Sequence, residues 1–69
     1  MAIIVNLDVE MARNKMSLKD LAERIDISVT NLSLLKTGKV KGVRFDTLEA
    51  ICRELNCKPG DILDIKIED

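Results

Sequence analysis

Four cations, Lys36, Lys39, Lys41 and Arg44, fall between Ser28 and Phe45, a stretch that contains no acid. Cations grouped in this way suit phosphate oxygens. The same stretch supplies Thr30 and Ser33, whose hydroxyls can donate or accept a hydrogen bond. The rest of the chemistry is sparse. The chain has no histidine, and no serine or cysteine stands with an evident base partner. Its carboxylates are scattered over polar helix positions, where solvated charge is the default. KVKG (residues 39–42) is too short for a phosphate-cradling loop and follows no strand. Catalysis is not expected, and neither a cofactor nor a metal site is. Cys52 and Cys57 are spaced unlike a redox or zinc pair, and read as small apolar residues in a reducing compartment.

Those polar groups must be held by a small frame. The chain has 69 residues and a net charge of −1. One domain is expected, and a domain of this size is only marginally stable alone. It therefore needs regular helix packing or a partner subunit. The near-zero net charge hides a segregation. Asp61, Asp64, Glu68 and Asp69 oppose only Lys66 at the C-terminal end, so one face is suited to phosphate and another is not. The apolar run AIIV (residues 2–5) is too short for a signal peptide or a membrane span. A soluble cytoplasmic protein is expected.

The frame itself is mostly helical. Residues 2–6 are β-branched and apolar, and residues 64–68 alternate polar and apolar, so the termini are expected as short strands pairing in an antiparallel ribbon. Such an edge is also a natural dimerisation surface. Residues 7–14 read as a first helix with Asn6 as N-cap and Leu7 and Met11 inward. Ser17 opens a second helix over about 17–25, with Asp20 completing most of a capping box and Leu21, Ala22 and Ile25 inward. Asp26 is expected in the left-handed conformation, and Ile27 plugs the turn. Ser28 caps a third helix over about 28–37, with Leu32 and Leu35 in the core and Gly38 ending it. Ten residues give about 14 Å, enough to lie along a major groove. A fourth helix is expected over residues 45–55, with Phe45, Leu48, Ala50, Ile51, Cys52 and Leu55 as its apolar stripe. Asn56 ends it, and Pro59 opens a short fifth helix to residue 63.

The run LAERIDISVTNLSLLKTGK, with Leu21–Ala22, Ile27–Ser28, Leu32, Leu35 and Gly38 at matching spacing, resembles the helix-turn-helix domain of phage repressors of the Cro and cI type, the Xre family. TLEAICRELNCKPGDIL is similar to the last two helices of that domain. The resemblance covers roughly residues 7–63. It implies an all-α, five-helix domain that binds double-stranded DNA operators, commonly as a dimer. The third helix is then the recognition helix. Positions matching Val29, Thr30 and Ser33 commonly read bases in that family, and the position matching Leu34 can do so. Thr30 and Ser33 are permissive readers, and Val29 suits a thymine methyl. Lys36, Lys39 and Lys41 are expected on phosphates, and the N–H groups behind Ser17 and Ser28 are further phosphate donors. Asn31 and Thr37 complete the candidate set on the same helix. Arg44 stands where a helix N-cap is normally Ser, Thr or Asp. Related repressors place an arginine near here in the adjacent minor groove. A phosphate or minor-groove contact is therefore expected for Arg44, the alternative being a solvated arginine with Asp46 as the true cap.

Two departures from the family pattern bear on function. Leu18 stands where many members carry a DNA-contacting glutamine, and Leu34 is apolar on a face expected to be polar. With Val29 they would make an exposed apolar patch. The alternative function is therefore a protein-interaction module, or an antitoxin-like partner, built on the same fold.

Overall fold

The computed structural model describes residues 2–67. The elements run β1 (Ala2–Val5), α1 (Leu7–Arg13), α2 (Leu18–Ile25), α3 (Val29–Lys36), α4 (Phe45–Leu55), α5 (Pro59–Ile62) and β2 (Leu63–Lys66). The fold is thus mostly helical with one small sheet. β1 and β2 pair antiparallel within the chain, with Ile3 opposite Ile65 and Val5 opposite Leu63. The two ends do form the expected ribbon. The predicted second strand ran one residue late, and its last residue, Glu68, lies outside the described residues.

Leucine and isoleucine fill the centre. Leu7, Leu21, Leu32, Ile51, Leu55 and Ile62 are fully buried, one or two from each helix. α2 packs on both α3 and α4, so it is the element against which the third helix is set. Val5 and Leu63 lie against the core from the ribbon, whereas Ile3, Ile65 and Ile67 remain exposed.

Helix ends follow the capping residues closely. Ser17 Oγ accepts from the Asp20 N–H at 3.1 Å, and Ser28 Oγ accepts from the Asn31 N–H at 3.0 Å. Asp26 and Asn56 both take the left-handed conformation, at φ 58° and 51°. Each lets the next residue, Ile27 or Cys57, donate its N–H back to a carbonyl of the preceding helix. Gly38, at φ 73°, does the same for α3.

Four expectations need correction. Phe45 is not core: it is 87% exposed. It lies six residues before Ile51, about 120° around the helix from that buried face. Asn6 makes no side-chain cap bond; its backbone N–H instead donates to the Ile62 carbonyl at 2.6 Å, tying α1 to α5. Leu18 packs half-buried against the core, so it does not join Val29 and Leu34 in an open patch. The first helix ends at Arg13, not Asn14. Asn14 instead clamps two helix ends. Its side-chain amide donates to the Glu10 carbonyl at 2.9 Å and to the Leu55 carbonyl at 3.0 Å.

Glu10 is the unexpected buried charge, 6% exposed, and it pairs with Arg13 at 3.3 Å. Cys52 and Cys57 are free thiols. Burial pushes both thiols up, Cys57 to about 11 with the neighbouring Cys52 thiol adding to the shift.

Candidate nucleic-acid interface

The turn between α2 and α3 is a short, determined structure. Asp26 reverses the chain in the left-handed region, which aspartate tolerates better than most residues. The Ile27 N–H closes the end of α2 on the Ala22 carbonyl at 3.1 Å, and its side chain packs against the core. Ser28, extended at φ −71° and ψ 149°, then starts α3. Two anchors, Ile27 before the helix and Leu32 with Leu35 within it, fix which face of α3 looks outward.

That outward face carries the predicted residues. Val29, Thr30, Asn31 and Leu34 are exposed, and Ser33 is half-buried beside them. Val29 and Leu34 are 45% and 40% exposed, enough to offer a methyl surface but not a broad apolar patch. The Ser28 hydroxyl takes up the Asn31 N–H. The N–H groups of Val29 and Thr30, at the first helical turn, have no partner inside the helix and point where a phosphate is welcome. α2 repeats the arrangement behind Ser17. Thr37 is less available: its hydroxyl donates to the Ser33 carbonyl at 3.0 Å.

The loop after α3 is an alternation of anchors and charges. Val40 and Val43 pack against the core, while Lys39, Lys41 and Arg44 are exposed and Lys36 is half-buried. The valines are the residues that sequence reasoning missed. Their signal was the pattern V-K-G-V-R, apolar residues bracketing each cation. Arg44 sits in the N-cap position of α4 with no side-chain cap bond. Asp46 accepts from the Thr47 N–H at 2.9 Å and from Arg44 at 3.3 Å. The helix therefore begins at Phe45 and not at Asp46, and Arg44 is a solvent-facing cation with an acidic neighbour.

Between α3 and this loop lies a groove of about 370 Å³, into which Asn31, Leu34, Val40, Arg44 and Thr47 all open. The groove brings Asn31 and Leu34 of the helix together with Arg44 of the loop. Lys39 and Lys41 are exposed on the same loop. Thr47 was also missed, since the fourth helix was read only for its apolar stripe.

The model of the Cro/C1-type helix-turn-helix DNA-binding domain matches residues 6–68, nearly the whole chain. The chain belongs to this family. Over all 69 residues it is 54% identical to YozG of Bacillus subtilis (strain 168), an uncharacterised HTH-type transcriptional regulator, of which it covers 82%. A crystal structure of a candidate DNA-binding protein from Bacteroides fragilis superposes with a TM-score of 0.79 at 21% identity, over 90% of this chain and 98% of that one. The second similarity is one of fold.

Proposed function

We propose that this protein is a sequence-specific regulator of transcription that binds double-stranded DNA as a dimer on a near-palindromic operator. The recognition helix, Ser28 to Thr37 with its caps, enters the major groove, and Val29, Thr30, Asn31, Ser33 and Leu34 meet base edges there. Lys36, Lys39 and Lys41, with the N-termini behind Ser17 and Ser28, grip phosphates, and Arg44 reaches a phosphate or the neighbouring minor groove. Two subunits related by a two-fold place their recognition helices one helical turn apart. The contact between them uses the C-terminal region and the terminal ribbon, where Ile3, Ile65 and Ile67 are exposed. One observation carries the reading: Asn31 and Leu34 of the exposed face of α3 and Arg44 of the basic loop open into one groove.

The interaction-module alternative drew on Leu18, Val29 and Leu34. With Leu18 packed on the core, that patch shrinks to two separate residues, which is ordinary for a soluble surface. Selection from a genomic duplex library at low salt tests the proposal. Recovery of a shared near-palindromic sequence supports it; no enrichment over random duplex contradicts it.

A further inference from the structure

The turn that ends α4 folds Cys57 back onto Cys52. Asn56 takes the left-handed conformation there, at φ 51°, and the Cys57 N–H donates to the Cys52 carbonyl at 3.0 Å. This is the long-range bond of a Schellman turn, whose two ends commonly carry side chains in contact. Here both ends are thiols. Their spacing in the chain is unlike a redox pair, and the turn supplies the proximity that spacing lacks. A backbone hydrogen bond keeps the Cα atoms of its two residues within the roughly 7 Å that a disulfide can span. The sulfurs are neighbours as well: the Cys57 thiol hydrogen-bonds to Cys52, which holds the Cys57 proton and eases loss of the Cys52 one. Both side chains are free and half-buried. Both line the open groove that runs along α4 to Pro59, so a small reagent reaches them from solvent.

We infer that Cys52 and Cys57 form a redox modification site, a dithiol that a low-molecular-weight disulfide converts to an intramolecular disulfide across the end of α4. Cys52 is the first nucleophile, because its neighbour assists its ionisation. It gives its proton to solvent, and its thiolate attacks one sulfur of the reagent. The reagent's S–S bond breaks, and the expelled thiolate takes up a proton. Cys57 then loses its proton, attacks the Cys52 sulfur of the mixed disulfide and releases the second thiolate, which is protonated in turn. Two protein thiols are oxidised to one disulfide, and one reagent disulfide is reduced to two thiols. Burial holds both thiols protonated. They are therefore slow to enter the exchange, and poor leaving groups once joined. The closed ring pins the end of α4 to the residues that open α5, next to the Leu55 carbonyl that accepts from Asn14 of α1. Neither cysteine opens into the groove between α3 and the basic loop, so the site stands apart from the candidate DNA surface.

Equilibration of the full chain with oxidised and reduced glutathione tests it, at about pH 8.5, near the ordinary thiol pKa. Intact mass and thiol titration are the readouts. The native protein is expected to lose two hydrogens, retain no glutathione and form no disulfide between chains. The melting temperature of the oxidised form should be higher by several degrees. Folding and ring closure are linked, so each favours the other by the same factor. The equilibrium constant for oxidation by glutathione should therefore be larger in the native chain than in the urea-denatured chain, by about 10-fold or more. With oxidised glutathione alone, Cys57→Ser and Cys57→Ala are each expected to stop at the mixed disulfide on Cys52. Native protein that keeps both thiols, that stays glutathionylated without closing the ring, or that closes it no more readily than the denatured chain would each overturn the assignment.

Discussion

Thr30 and Lys41 illustrate two kinds of contact that a mutation series separates. On the proposed reading the Thr30 and Ser33 hydroxyls meet base edges, so Thr30→Ala and Ser33→Ala should change which operator variants are preferred. Lys41 stands on the loop, where a phosphate contact carries no sequence information. Lys41→Ala should weaken all duplexes about equally and reduce the salt slope by about 1. Competition titrations against a panel of single-base variants check both. The residues that sequence did not reveal are those whose role depends on the far side of a contact. Glu10 occupies a polar position in α1 yet is buried. Phe45 looked apolar and therefore internal, but its angle around α4 turns it to solvent. The thiols give a separate prediction. Cys57 has its pKa pushed up to about 11 by burial and by Cys52, so the folded state holds the proton that the unfolded chain releases near 9. Stability is therefore expected to be unaffected by this group below about pH 9 and to fall as pH rises from 9 through 11. Iodoacetamide labelling of the native protein should be slow at neutral pH compared with the denatured chain.

At the scale of elements, the caps and clamps hold α3 and its neighbouring helices in place. Ser28→Ala removes the acceptor of the Asn31 N–H and should cost about 1 kcal/mol, read as a fall in the denaturant midpoint at unchanged slope. Asn14→Ala removes two side-chain bonds that join the ends of α1 and α4, a loss of about 1–2 kcal/mol and a melting point lower by several degrees. Gly38→Ala should cost about 1 kcal/mol through its φ of 73° alone, since an added Cβ meets only the Val5 Cγ2 at 4.0 Å, an ordinary contact. The elements were legible because these local signals agree with the periodicity: Ser17, Ser28 and Gly38 stand where α2 and α3 start and stop. Asn6 misled because its backbone, at φ −104° and ψ 29°, is not in the extended conformation from which an N-cap side chain usually reaches the first helical N–H groups. Pairing of the two terminal strands was readable from composition; their register, Ile3 opposite Ile65, depends on how α5 turns the chain back.

For the whole molecule, segregation of charge matters more than its sum. A net charge of −1 is compatible with DNA binding when Lys36, Lys39, Lys41 and Arg44 fall in one segment, residues 28–45, that contains no acid of its own, although Arg44 pairs with Asp46 just beyond it. The family and the helix-turn-helix were written in the spacing of Leu21, Ala22, Ile27, Ser28, Leu32, Leu35 and Gly38. The shape of the contact surface was not, because Val40 and Val43 become anchors only when the loop folds back on the core.

The central claim is that α3 and the basic loop grip DNA together. A fluorescence-anisotropy titration of a library-selected operator, repeated from low to physiological salt, tests it most directly. Each neutralised phosphate contributes a slope of about −0.9 in log affinity against log salt, so three to four contacts per subunit predict about −3 per subunit. An affinity that hardly changes with salt, or a selected operator bound no better than random duplex, would contradict it.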